Sequence, residues 1–222
     1  MPLDLEEQEQ IDQLKAFWQK HRNLITSVLT VVLLAYAAYS AFQWWRNSQA
    51  TEAAKLYETM VSAIVKGDKV QTLRAANDLQ KDFARTSYAA MSSLVAARIA
   101  ADAGDSTKAI DYLRWGAKNS SNDAYLALAK LRLVTQLIEQ GGDQNFAEAD
   151  QVLKEKPIQG FEALWLERRG DWYLVQKKSA EARASYQEAW KKLDQSKELP
   201  EEARRLLKVK IDALGGVAQW SP

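Results

Sequence analysis

The chain has 222 residues, no cysteine and one histidine, and it carries 30 basic against 29 acidic side chains for a net charge of +1. Without cysteine there are no disulfides, thiolate nucleophiles or cysteine metal sites, and one histidine cannot build a histidine triad or a multi-histidine metal centre. The near-zero charge excludes a polyanion binder by bulk electrostatics, so nucleic acid is not an expected partner.

Residues 1–23 begin acidic, with Asp4, Glu6, Glu7, Glu9 and Asp12, and turn basic with Lys15, Lys20 and Arg22. Ile11, Leu14 and Trp18 share one face at helical spacing, which predicts a helix over Leu5 to Arg22 leading along the interface into the next segment. His21 sits among bases, where a headgroup-level position is expected.

Leu24 to Phe42 reads LITSVLTVVLLAYAAYSAF, with no charge, Pro or Gly, and the uncharged window extends from Asn23 to Trp45. As a helix, 24–45 is about 33 Å long at ~1.5 Å per residue, which matches a hydrocarbon core of about 30 Å. Backbone amides in lipid need internal partners, so a single span must be helical. Trp18 and Arg22 before it, and Trp44, Trp45 and Arg46 after it, are the expected interface residues. A cleaved signal would have a short basic start and a core of about 7–15 residues. Here the start is long and acid-rich, so an uncleaved anchor is expected. Lys20 and Arg22 lie closer to the span than the bases on its other side, which favours a cytoplasmic N-terminus.

Residues 46–222 are Ala-rich and helical in pattern. No window alternates with period two. Turn signals recur at Lys66-Gly67-Asp68, Ala103-Gly104-Asp105, Gly141-Gly142-Asp143 and Lys177-Lys178-Ser179. Each lies between helical stretches, which predicts successive helical hairpins. The last hairpin is the clearest. In a 34-residue frame starting at Ala163, Gly170, Tyr173, Ala182, Tyr186 and Ala189 fall at positions 8, 11, 20, 24 and 27, the tetratricopeptide signature. Small residues at 8 and 20 allow close helix approach, and large residues at 11 and 24 are expected to fill the space between hairpins. Anchoring on Ala109 puts Ala97 at 8 and Gly116 at 27. Thr72, Ala109, Ala149 and Ala182 then mark position 20 in four degenerate units. Ser196 to Leu199 reads as a linker, and Glu201 to Leu214 as the capping helix a solenoid needs at its open end.

The expected architecture is therefore all-α: an acidic-to-basic flank over 1–23, a transmembrane helix over 24–45, and a tetratricopeptide-like solenoid over 46–222. No catalytic, metal or cofactor constellation stands out, and neither an enzyme nor a small-molecule substrate is expected. Carboxylate pairs such as Glu162/Glu167 read as solvated helix charges, and Trp115, Trp165, Trp172 and Trp190 read as packing between helices. First-helix positions 2, 5 and 9 are expected to line a concave face for protein binding: Leu164, Glu167 and Asp171 in the last unit, Met91, Leu94 and Arg98 in the Ala109 unit.

Taken together, the approach LKAFWQKHRNLI, the exit FQWWRNSQ and the stretches AAKLYETMVSAIVKGD, FARTSYAAMSSLVAARIAADAGD and GDWYLVQKKSAEARASYQEAW resemble the bacterial YfgM-like family of ancillary Sec translocon subunits. The resemblance covers nearly the whole chain, although His21-Arg22 stands where other members carry Tyr-Gly. It implies a single-pass inner-membrane protein with its repeats in the periplasm. It also implies association with the SecYEG channel and with a membrane-anchored parvulin-like chaperone, as an adaptor for emerging polypeptides. Two other readings fit the same layout: an envelope scaffold for division or wall synthesis, and a regulator whose N-terminal flank restrains a cytoplasmic stress-response protein.

Overall fold

A computed structural model describes residues 5–195 and 201–215. Among them there are nine helices and no strand: α1 Leu5–Val65, α2 Lys69–Asp82, α3 Ser87–Asp102, α4 Ser106–Asn119, α5 Asp123–Gln140, α6 Asp143–Lys154, α7 Glu162–Val175, α8 Ser179–Gln195 and α9 Glu201–Ala213. The Ser196–Leu199 linker and the acid Asp4 lie outside the described residues. The chain forms two compact units, Met1–Gln49 and Ala50–Pro222.

In the first unit, α1 holds the one stretch, among the described residues, that is long and apolar enough to cross a membrane, and none of that stretch is buried. No Pro or Gly occurs between Pro2 and Gly67, so nothing in the sequence breaks or kinks the helix there. Thr26 and Thr30 donate their hydroxyls to the carbonyls of Arg22 and Thr26, each at 2.7 Å. Such back-bonding removes the cost of a hydroxyl in an apolar span. Trp18, Trp44 and Trp45 are exposed, as are Arg22 and Arg46. The Trp45 ring leans on Phe42, with centroids 6.1 Å apart.

In the second unit each turn is set by local chemistry. The carboxylates of Asp68 and Asp105 accept from the amides of Gln71 and Lys108 at 2.9 and 3.0 Å, capping α2 and α4. Gly67 and Gly104, one residue earlier, take φ of +71° and +79°, a region open to glycine at no steric cost. Asn122 accepts from the amides of Ala124 and Tyr125 at the start of α5.

Three apolar clusters follow the chain. Ala53, Met60, Ala76, Leu79 and Ala89 join the last part of α1 to α2 and α3. Ile110, Leu113, Val134, Leu137, Ala149, Leu153 and Trp165 link α4 to α7 within the central cluster. Leu166, Tyr186, Ala189 and Trp190 hold α7 and α8 to Leu207 and Ile211 of α9. Trp165, Trp172 and Trp190 are buried and Trp115 is half-buried, so the tryptophans serve packing. The Trp165 indole also donates to the Leu153 carbonyl at 3.2 Å.

The repeat frame acquires its missing member here. Val134 of α5 is buried where Ala97 and Gly170 are buried in α3 and α7. Ala109 and Ala182 follow their partners by 12 residues, whereas Ala149 follows Val134 by 15. The lengthened turn at Gly141-Gly142 takes up the difference, with both glycines at positive φ.

Candidate protein-binding site

The signature residues lie inside the second unit. Ala97, Ala109, Ala149, Ala182, Tyr186 and Ala189 are buried, and Tyr173 is half-buried against the last cluster. Gly170 meets the Tyr186 ring directly: a β-carbon added there would fall among the ring atoms Cε1, Cδ1 and Cζ. The expected role of Tyr186 therefore changes. The ring fills the space within its own hairpin, against the small residue of the facing helix, instead of the space between hairpins. Gly116 plays a similar part between α4 and its neighbours, since an added β-carbon would stand 2.5 Å from Ser93 Oγ and 3.1 Å from Ala129 Cβ.

The six first-helix residues expected to line a groove do not share one fate. Met91 is half-buried, and Arg98 is exposed, with its Nε on Asp102 of the same helix at 2.8 Å. Leu94 is buried in the central cluster and Leu164 packs half-buried against it. Glu167 is only 7% exposed. Its carboxylate accepts from Lys210 Nζ of α9 at 2.6 Å, and the same ammonium donates to Asp171 at 2.7 Å. Asp171 also accepts from the Tyr186 hydroxyl at 2.7 Å and from Arg168. Lys210 lies 5.5 Å from the Tyr186 ring centroid. Leu94 and Glu167 thus leave the open surface, and Glu167 and Asp171 are engaged by α9 of the same chain. Two carboxylates balance two cations, so the cluster is neutral and each charge has a partner, the condition under which burial is tolerated. Glu167, read from sequence as a solvated helix charge, is the deepest member of that network.

Nothing in local spacing announces this cluster, because Lys210 is 43 residues from Glu167. The same holds for Arg114 of α4, whose guanidinium grips Glu148 of α6 through two bonds of 2.8 and 2.7 Å. Both pairs join helices that are not consecutive in the chain.

Tyr186 also gives the unit an alkaline limit. Burial, then its bond to Asp171, pushes its pKa far above the ordinary 10.0. A group that holds its proton more tightly when folded stabilises the fold fully below its unfolded pKa, and the contribution is lost as pH rises beyond that value. Thermal melts of the full-length protein are therefore expected to lose stability from about pH 10 upward. In Tyr186→Phe the midpoint should be lower at neutral pH but fall less steeply in that range.

Comparison with known proteins places these features in a family. The profile of a tetratricopeptide repeat-like domain matches residues 15–216. The ancillary SecYEG translocon subunit of Neisseria gonorrhoeae is 30% identical over 216 residues, covering 96% of this chain and all of the relative. Those of Aggregatibacter actinomycetemcomitans and Haemophilus influenzae are 25% and 21% identical over 192 residues, covering 85% of this chain and 91% of each relative. No solved structure matches. With likeness running from the flank of the apolar helix through α9, the chain belongs to the tetratricopeptide repeat-like family that includes the ancillary SecYEG translocon subunits.

Proposed function

We propose that the chain is a non-enzymatic adaptor anchored in the bacterial inner membrane at the Sec translocon, linking SecYEG to a membrane-anchored periplasmic chaperone of the parvulin-like class. The observation that carries this reading is the end-to-end likeness to a named translocon subunit, which includes the single apolar helix and the repeats. The chaperone link rests on the family resemblance of the sequence motifs. Lys15, Lys20 and Arg22 support a cytoplasmic N-terminus, which puts the second unit in the periplasm. The mechanism is effective concentration: an anchor that confines the repeats near the channel makes weak contacts productive.

Mild-detergent purification of the full-length protein from its own membranes, with partners identified by mass spectrometry, tests it. A variant with residues 24–45 replaced by an unrelated span is run beside it. SecYEG and a periplasmic chaperone are expected with both proteins. Recovery with the native span alone would move docking from the repeats to the anchor. Division or wall-synthesis proteins in place of SecYEG would replace the adaptor reading with a scaffold, and a cytoplasmic regulator lost on removing residues 1–12 would replace it with restraint by the flank.

A further inference from the structure

The apolar stretch of α1 is not uniform around its axis. Its C-terminal half carries Tyr36, Ser40 and Gln43, spaced by four and then three residues, the rhythm at which one helical face recurs. Continued backward in the same steps, that face takes in Leu33, Leu29 and Thr26. Val31, Ala38 and Phe42 lie on the opposite face.

Depth makes these polar groups informative. At ~1.5 Å per residue, Tyr36 stands about 2 Å from the middle of 24–45, Ser40 about 8 Å and Gln43 about 13 Å, against a hydrocarbon half-thickness of about 15 Å. Tyr36 is 70% exposed on the helix, so its phenol faces whatever surrounds the span. A helical side chain leans toward the helix N-terminus, and the residues three, four and seven before Tyr36 are Leu33, Val32 and Leu29. None of these offers a polar side chain. A hydroxyl at the end of a rigid ring cannot fold back on its own backbone as those of Thr26 and Thr30 do. Leaving it in hydrocarbon is costly, and membrane helices meet such a need with hydrogen bonds to a neighbouring helix. Gln43 is oriented by its own neighbour, since its Nε2 donates to the Tyr39 hydroxyl at 2.8 Å. That bond uses one amide N–H and leaves the amide oxygen and the phenol proton for a partner.

We propose that the face of Thr26, Leu29, Leu33, Tyr36, Ser40 and Gln43 is a seam along which the span pairs in parallel with the span of a second copy of this chain. Identical chains cross the membrane in one sense, so each residue meets its own counterpart at its own depth across a two-fold axis. Such a contact demands side chains that answer themselves. Tyr, Ser and Gln each donate and accept, so Tyr36, Ser40 and Gln43 can each bond the same residue of the other copy. The seam carries no charge to repel its twin. Leu29 and Leu33 fill the contact, and the small side chain of Ser40 permits close approach. The pairing concerns the span alone and holds whichever partner the repeats bind.

The chain has no cysteine, so a single introduced thiol reports on one position. The test uses full-length protein at low density in phosphatidylethanolamine and phosphatidylglycerol vesicles, oxidised with copper phenanthroline. Leu29→Cys and Leu33→Cys are expected to form disulfide-linked dimers, and Val31→Cys and Ala38→Cys are not. Energy transfer between copies labelled at the N-terminus, followed as lipid is added, measures the strength of pairing. Tyr36→Phe/Ser40→Ala/Gln43→Leu makes the span more apolar, so insertion is kept, and it should need about tenfold or more protein per lipid to pair. Photolysis of Leu33→Cys bearing a benzophenone maleimide in native membranes identifies the occupant, and a dimer of the chain is expected. Equal linking from both faces, no linked dimer, unchanged pairing of the triple variant, or an adduct with another protein in place of the dimer would each overturn the proposal. SecYEG recovery is a separate readout, so this pairing and the adaptor reading can each fall without the other.

Discussion

A Gly170→Val substitution is expected to lower the thermal midpoint of the full-length protein by roughly 10 °C. The helix interior itself tolerates a side chain at this position, and valine is a better helix former than glycine by a few tenths of a kcal/mol, on the order of 0.5. Packing decides the outcome. The β-carbon would occupy the space of the Tyr186 ring, and Tyr186 is fully buried with its hydroxyl on Asp171, so the ring cannot swing aside without breaking that bond. Forcing atoms into a filled site costs about 1–3 kcal/mol and sometimes more, and here the displaced ring adds its own burial, for a total of about 4 kcal/mol. At about 2–4 °C per kcal/mol for a unit of this size, the shift should be plain in a thermal scan. The mechanism has its own check. In a Gly170→Val/Tyr186→Leu double variant the two losses should be far from additive, because the smaller side chain makes room for the new one. Strictly additive losses would mean that the two residues do not share the site.

Lys210→Ala carries the second large effect. It removes the ammonium shared by Glu167 and Asp171 and leaves a carboxylate that is 7% exposed with only Arg168 at 3.5 Å. Removing one partner of a buried pair costs about 3–5 kcal/mol; the half-open position of Lys210 and Asp171 brings the expectation down to about 2–3 kcal/mol. The loss should fall on α9, where Leu207 and Ile211 depend on the same docking. Hydrogen exchange is therefore expected to accelerate in α9 before it does in α5. Lys210→Ala/Glu167→Gln should recover part of the loss, because it removes the carboxylate left without its cation. A double variant no better than the single one would show that the ion cluster does not hold α9 in place.

Both predictions concern residues that read very differently along the chain. Gly170 and Tyr186 are plain in sequence as signature positions of a repeat frame, because hairpin geometry is periodic, but their pairing within one hairpin is seen only in the packed structure. The apolar stretch over 24–45 is equally plain in sequence, since length and absence of charge are the properties a bilayer selects. The turns at Gly67, Gly104 and Gly141 announce themselves because positive φ favours glycine. What periodicity could not supply was the fate of the face between hairpins. Leu94 and Glu167 occupy positions that a solenoid can expose, and they became buried only because α5, α7 and α9 pack where they do. Lys210 reaches Glu167 across 43 residues, and the rings of Tyr57 and Tyr88 meet from two helices. Helices, turns and span follow from interactions between residues a few positions apart, which composition and spacing encode. A charge cluster or an aromatic site depends on which distant helices become neighbours and at what rotation, and one chain of letters carries no periodic signal for that.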